Sequence, residues 1–344
     1  MIDGVKWINA DHVIIGNDIF LATNQFLAKT EIGKWDTHYI LNIQNIEWLR
    51  QYGVGYMVAI KDIIYLISWK SFSIAKYDIG KNAIEMIFNE EGTTSIFYPE
   101  KWKDYLFVFR RLKPEVLIID NTGHLRIKQL EIDDNLQNMK ICRLEDKVLF
   151  LPLQGKSCYQ FDFADWKIHS VDLPFSLEHC ISAREYNEKV YLLDNQRIII
   201  WDQKTGFKEM DIRECEINSS LYYMIVPLES HIFLLPNRGV QILIIQQDGM
   251  THFYDGYPKD YTYTPSEEWL KIGTKYLCYE KKEGVYYFPR RSTNYMLTLD
   301  SRSETIKWIS VQEPSVQETM NYELSDHGIT KERNTSFKKY LECI

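Results

Sequence analysis

One short apolar and aromatic run recurs along this chain at a nearly constant interval, and no other feature constrains its fold as tightly. The runs are IFLAT from Ile19, IYLIS from Ile64, LFVF from Leu106, VLFLP from Val148, VYLLD from Val190, IFLLP from Ile232 and VYYFP from Val285. Their second residues, Phe20, Tyr65, Phe107, Leu149, Tyr191, Phe233 and Tyr286, are spaced by 45, 42, 42, 42, 42 and 53 positions. A fixed period marks a repeat architecture, in which each unit buries its apolar faces against its neighbours. These seven residues are therefore expected at equivalent, buried places between successive units.

A second landmark keeps the same beat. After each run a further strand ends at Glu31, Asp78, Asp120, Asp162, Asp202, Gln246 or Asp300 and opens a turn. Short oxygen-bearing side chains cap tight turns, and glycine supplies positive φ. A polar turn precedes each run, so each unit reads as four strands rich in β-branched and aromatic residues. Four antiparallel strands in about 42 residues make one propeller blade, and radial closure hides the sheet edges. The expected fold is all-β, a seven-bladed β-propeller of four-stranded blades over 1–314, followed by a tail over 315–344 with a short helix. Six blades, with the termini sharing one, is the alternative count.

The strand motif followed by an aspartate-opened turn, as in IAKYDIGKNAIEMI and IIIWDQKTGFKEMDI, resembles bacterial Kelch-like β-propellers across residues 9 to 311. The resemblance implies the fold. It carries no activity, because propellers serve as enzymes, sugar binders and scaffolds alike.

Composition narrows the partners. The net charge of −8 argues against a nucleic-acid binder, which needs a basic surface. No apolar stretch is long enough for a membrane helix, and no signal segment opens the chain, so a cytoplasmic protein is expected. The six dispersed cysteines form no C-x-x-C pair and suit a reducing compartment.

Functional residues are expected on the face formed by the second-to-third strand loops and the connections between blades. Those loops carry Trp69, Lys70, Arg110, Arg111, Lys113, Lys156, Arg197, Arg238, Arg290 and Arg291, against Asp194 as their one acid. Arginine forks suit carboxylate and phosphate oxygens. Pairing of these cations with acidic connections such as Glu90-Glu91 and Asp133-Asp134 is the competing reading. The long last spacing places an insertion at 250–275 on the same face, with His252, Phe253, Tyr254, Tyr257, Tyr261, Tyr263 and Trp269. Tyr and Trp combine rigid contact area with a polar tip, as binding surfaces need; local packing over a blade edge is the alternative.

The eight histidines form no local metal motif, and no nucleophile-elbow, P-loop or dinucleotide fingerprint occurs. His12, His179 and Cys180 start innermost strands and could look into the channel. The expected role is a non-catalytic binding or scaffold protein for a protein, peptide or anionic ligand, with no cofactor and no metal. The alternative, after the streptogramin lyases, which are propellers, is a metal-assisted lyase or hydrolase at the channel mouth.

Overall fold

A computed structural model describes residues 9–23, 26–43, 46, 54–68, 72–90, 97–132, 135–212, 222–236, 241–259, 280–289 and 295–312. These form 28 strands, numbered in chain order from β1 (Asn9–Ile15) to β28 (Thr305–Ser310), in seven antiparallel sheets of four consecutive strands each. The protein is a seven-bladed β-propeller, and each blade is built from four consecutive strands of the described residues. The innermost strands are β1, β5 (Val54–Ile60), β9 (Phe97–Trp102), β13 (Met139–Arg143), β17 (Cys180–Tyr186), β21 (Tyr222–Pro227) and β25 (Glu280–Lys282). The tail over 315–344 lies outside the described residues.

The turn chemistry expected from the sequence is present. Asp120 Oδ1 accepts from the backbone of Thr122 at 2.9 Å and His124 at 3.0 Å. Asp78, Asp162, Asp202 and Asp300 each accept a backbone N–H two or three residues on, at 2.8 to 3.0 Å. Gly206 completes the Asp202 turn at φ 109°, a conformation open to glycine and costly for other residues.

Pairing between the first two strands of each blade sets the repeat register. Phe20 faces Val13, Tyr65 faces Val58, Phe107 faces Glu100, Leu149 faces Cys142, Tyr191 faces Arg184 and Phe233 faces Val226. In blade 7 the matching pair, two steps in from the turn, is Tyr287 with Glu280, not Tyr286. The expected equivalence of Tyr286 is therefore displaced by one residue. The run VYYFP begins on Val285, which closes the turn opposite Lys282, whereas the other runs begin one residue later. With a side-chain period of two, that step turns Tyr286 to the opposite sheet face.

Burial follows the register. Residues of the Phe20 row face the next blade, and their sequence neighbours face the previous one. Tyr65 and Ile67 of blade 2 thus pack against Leu106 and Val108 of blade 3. Seven such clusters, one per blade interface, form the core. The last joins Tyr287, Met296 and Val311 to Ile19, Leu21 and Ala28 and closes the ring. Backbone bonds from Thr37 N to Gln312 O (3.1 Å) and Gln312 N to Trp35 O (2.8 Å) fasten the same seam.

Side chains on the innermost strands add a second tie. Asp11 Oδ2 accepts from Met57 N at 2.6 Å, and at the matching place in blade 5 Ser182 Oγ accepts from Ile225 N at 3.3 Å. Tyr98, again at that place, donates to the carbonyl of Met139. Each bond joins one blade to the next.

Candidate functional site

Tyr191 marks the departure from the repeat. Phe20, Tyr65, Phe107, Leu149 and Phe233 are each at most 3% exposed, and Tyr287 is 7% exposed. Tyr191 was expected among them and is only half-buried. Its row of the sheet is not closed by blade 6, and a cleft of about 340 Å³ opens between the blades. Pleat alternation places Lys189 and Tyr191 of β18 (Lys189–Asp194), Ile200 and Asp202 of β19 (Arg197–Asp202), and Lys208 and Met210 of β20 (Gly206–Asp211) on this one face. Leu228 and Ile232 of blade 6 form the other wall, and Gln247 closes one end. Met210, Leu228 and Ile232 are buried, so the floor is apolar. Lys189 and Lys208 stand exposed on the rim, where Asp202 is occupied by its own turn. The volume lies within the range of ligand pockets, roughly 300–1,000 Å³. Phe207, 44% exposed, turns its ring to the opposite face and packs on Phe175 at 5.0 Å.

The innermost strands hold a different chemistry. Seven positions before each residue of the Phe20 row stand Val13, Val58, Glu100, Cys142, Arg184, Val226 and Glu280. Burial pushes Glu100 up to about 7, opposed by the Arg143 and Arg184 guanidinium groups; Arg143 Nε lies 3.7 Å from its carboxylate. Glu280 is likewise raised to about 7 by burial, with Lys101 pulling the other way. Asp11 reaches about 7 for the same reason, against the N–H of Met57. His12 is 1% exposed, and burial drops it to about 3. Its Nε2 accepts from Glu280 N at 3.3 Å, so it is a neutral packing residue at the ring seam. His179 is exposed instead. Burial raises the Cys180 thiol to about 12 and lifts Cys142 as well, which leaves both protonated and unreactive. Among the described residues, no three His, Cys, Asp or Glu side chains converge to hold a metal ion.

The loop face differs from a uniformly open basic rim. Arg110 is 2% exposed, bonded to Glu90 of blade 2 at 2.8 Å and to Glu115 of its own blade, so it ties blade 3 to blade 2 and does not meet solvent. Lys113 also takes Glu90, at 2.6 Å, and Arg197 takes Asp194 at 2.8 Å and Glu209 at 3.1 Å. Among the described residues Arg111 has no acidic partner; Glu91, Asp133 and Asp134, offered by the sequence as partners for these cations, lie outside them. Arg111 lies over the Tyr98 ring and donates to the carbonyl of Gln137. Tyr254 and Tyr257 pack locally: their rings meet at 5.2 Å, Tyr257 lies 5.4 Å from Trp308, and its hydroxyl accepts from Ile242 N at 2.8 Å. His252 is exposed on β24 (Thr251–Phe253). Trp69, Lys70, Arg238, Tyr261, Tyr263, Trp269, Arg290 and Arg291 lie outside the described residues.

Neither the cleft nor the buried charges of the innermost strands were named from the sequence. The innermost-strand set was reachable by counting back from the Phe20 row once the turn length was known. The cleft had no local signal, because its walls come from two blades.

Comparison with known proteins yields no matching family model and no matching curated sequence. Solved structures match widely. Virginiamycin B lyase from Staphylococcus aureus superposes with a TM-score of 0.61 at 8% identity, over 83% of this chain and 93% of its own. BamB from Moraxella catarrhalis gives 0.54 at 10% identity, over 91% and 86%. YCF48 bound to D1 peptide gives 0.57 at 9% identity, over 83% and 91%. At such identities the likeness establishes the propeller fold. It spans an enzyme and a protein with a bound peptide, and it does not single out Kelch-like propellers.

Proposed function

We propose that this protein is a non-catalytic binding propeller that receives a short peptide segment of a protein partner in the cleft between blades 5 and 6. The observation that carries this reading is the opening at Tyr191, the place where the repeat's own packing is left incomplete. An apolar floor of Met210, Leu228 and Ile232 suits one large aliphatic or aromatic side chain, and Lys189 and Lys208 suit an acidic residue beside it. YCF48, a propeller of the same fold, is bound to a peptide. The basic loop face expected from the sequence contributes a separate contact through Arg111. Buried thiols at Cys142, Cys158 and Cys180 fit a reducing, cytoplasmic setting.

Fluorescence anisotropy with peptides that carry one Leu, Ile or Phe beside Asp or Glu tests the proposal. Acid-flanked peptides should bind more tightly than the same peptides flanked by Lys, and Lys208→Glu should weaken them about tenfold, or roughly 1.4 kcal/mol. Equal binding of both sets, or an unaffected Lys208→Glu variant, refutes it.

One observation favours a second reading. Burial raises Asp11, Glu100 and Glu280 of the innermost strands to about 7, the range of groups that move protons near neutral pH. A lyase or hydrolase acting there would lose turnover in Glu280→Gln and, if metal-assisted, on chelation.

A further inference from the structure

We propose that Asp255 is a modification site: with Gly256 it isomerises to isoaspartate, and the change releases the connection after blade 6 from Ile242. Two anchors flank this dipeptide. Tyr254 N donates to the carbonyl of Ile242 at 2.9 Å, and the Tyr257 hydroxyl accepts from Ile242 N at 2.8 Å. The chain thus returns twice to the residue that precedes β23 (Leu243–Gln246). Asp255 and Gly256 span the gap between the two returns, and both are exposed.

The chemistry needs only these two residues and water. The Gly256 amide nitrogen attacks the side-chain carboxyl carbon of Asp255, and the N–H proton and the carboxyl hydroxyl leave as water. A five-membered succinimide closes. Water then reopens the ring at either carbonyl. Opening at the former main-chain carbonyl routes the backbone through the side chain, one carbon longer, and leaves a free carboxylate on the α-carbon; the mass is unchanged. Glycine has no Cβ to shield the attacking nitrogen. The Tyr254 hydroxyl donates to the Gly256 carbonyl at 2.8 Å, which leaves the Gly256 N–H untouched.

A second Asp-Gly pair in the same blade shows what restrains this reaction. Asp248 is exposed as well. Yet Gly249 N donates to Gln246 O at 3.0 Å, and Asp248 Oδ1 accepts from Met250 N at 2.9 Å. Both reacting groups are engaged in the turn between β23 and β24, and each must be freed before nitrogen and carboxyl can meet. Among the described residues, neither Gly256 N nor the Asp255 carboxylate has a hydrogen-bond or ion-pair partner. Exposure is common to the two pairs, and hydrogen bonding separates them.

The added backbone carbon lies between the anchors, so both cannot stay in place. The Tyr257 ring leaves its position 5.2 Å from Tyr254 and 5.4 Å from Trp308. Ile242 is fully buried, and its N–H then loses its acceptor, a loss that opens the start of β23 to water.

The test incubates the full chain for weeks near neutral pH and body temperature. Trypsin releases both Asp-Gly pairs on one peptide, 239–259, in which electron-transfer fragmentation distinguishes isoaspartate from aspartate at each site. Isoaspartate should accumulate at Asp255 about tenfold faster than at Asp248, the factor for one hydrogen bond that must break first. Asp255→Glu, which would have to close a six-membered ring, should stay unmodified at that position. In the aged parent the Ile242 amide should exchange with deuterium faster than in fresh protein, whereas aged Asp255→Glu should exchange like the fresh parent. Equal accumulation at the two sites, or none at Asp255, overturns the proposal. Modified protein whose Ile242 amide stays protected overturns the release.

Discussion

Truncating Phe107 and Tyr191 to alanine should give very different losses of stability, although the two occupy equivalent places in blades 3 and 5. Phe107 is fully buried, and its ring meets those of Phe163 at 4.8 Å, Phe161 at 5.7 Å, Trp166 at 6.1 Å and Phe109 at 6.5 Å. Removing it deletes a buried aromatic from a packed cluster that cannot collapse around the void. The expected loss is about 4–5 kcal/mol, at the upper end for Phe→Ala. Tyr191 already borders open space, and its described aromatic neighbour is Tyr186 at 6.5 Å. Its truncation enlarges an existing cleft, and water fills the new volume. The expected loss is about 1–2 kcal/mol, below the cavity range because much of the ring never left water. Urea unfolding followed by tryptophan fluorescence and by far-ultraviolet circular dichroism measures both, with the slope confirming a common unfolded state. A difference under about 1 kcal/mol between the variants would show that Tyr191 is packed like its counterparts. The cleft and the function assigned to it would then fall together.

Two further outcomes follow from buried charge. Glu280 ionises near 7 in the folded protein and near 4.5 in the unfolded chain, so it disfavours folding progressively as pH rises between those values and by a constant amount above them. Glu280→Gln should therefore match the parent near pH 4 and exceed it by up to roughly 3 kcal/mol at pH 8, and melting curves of equal pH dependence would refute the burial argument. Arg110→Met should leave Glu90 and Glu115 without their shared cation and cost about 3–5 kcal/mol, readable in the same urea assay; a neutral result would show that Lys113 and solvent suffice.

What could be read from the sequence has local causes. An aspartate that bonds the N–H two residues onward, as Asp120 does with Thr122, acts within one turn, so the turn appears in the sequence wherever it appears in the fold. Strand alternation is equally local, and a run such as LFVF states its own pleat. Repeating both seven times specifies the blades, and the ring follows because a sheet with two apolar faces must be covered on both. The slip at Tyr286 arose at the one blade whose run starts on the turn itself, where a count of apolar residues cannot see the pairing.

Everything that concerns function was decided by tertiary structure. Arg110 and Arg111 are adjacent in sequence, yet Glu90 and Glu115 neutralise the first while the second rests on Tyr98 and meets no acid among the described residues. Tyr191 and Ile232 come from different blades, as do Glu100 and Arg184. Electrostatic pairing and cavity shape depend on distances between side chains on different strands and often on different blades, and the packed fold sets those distances. The period in the sequence determined that the blades face one another; the packed ring determined where they fail to touch.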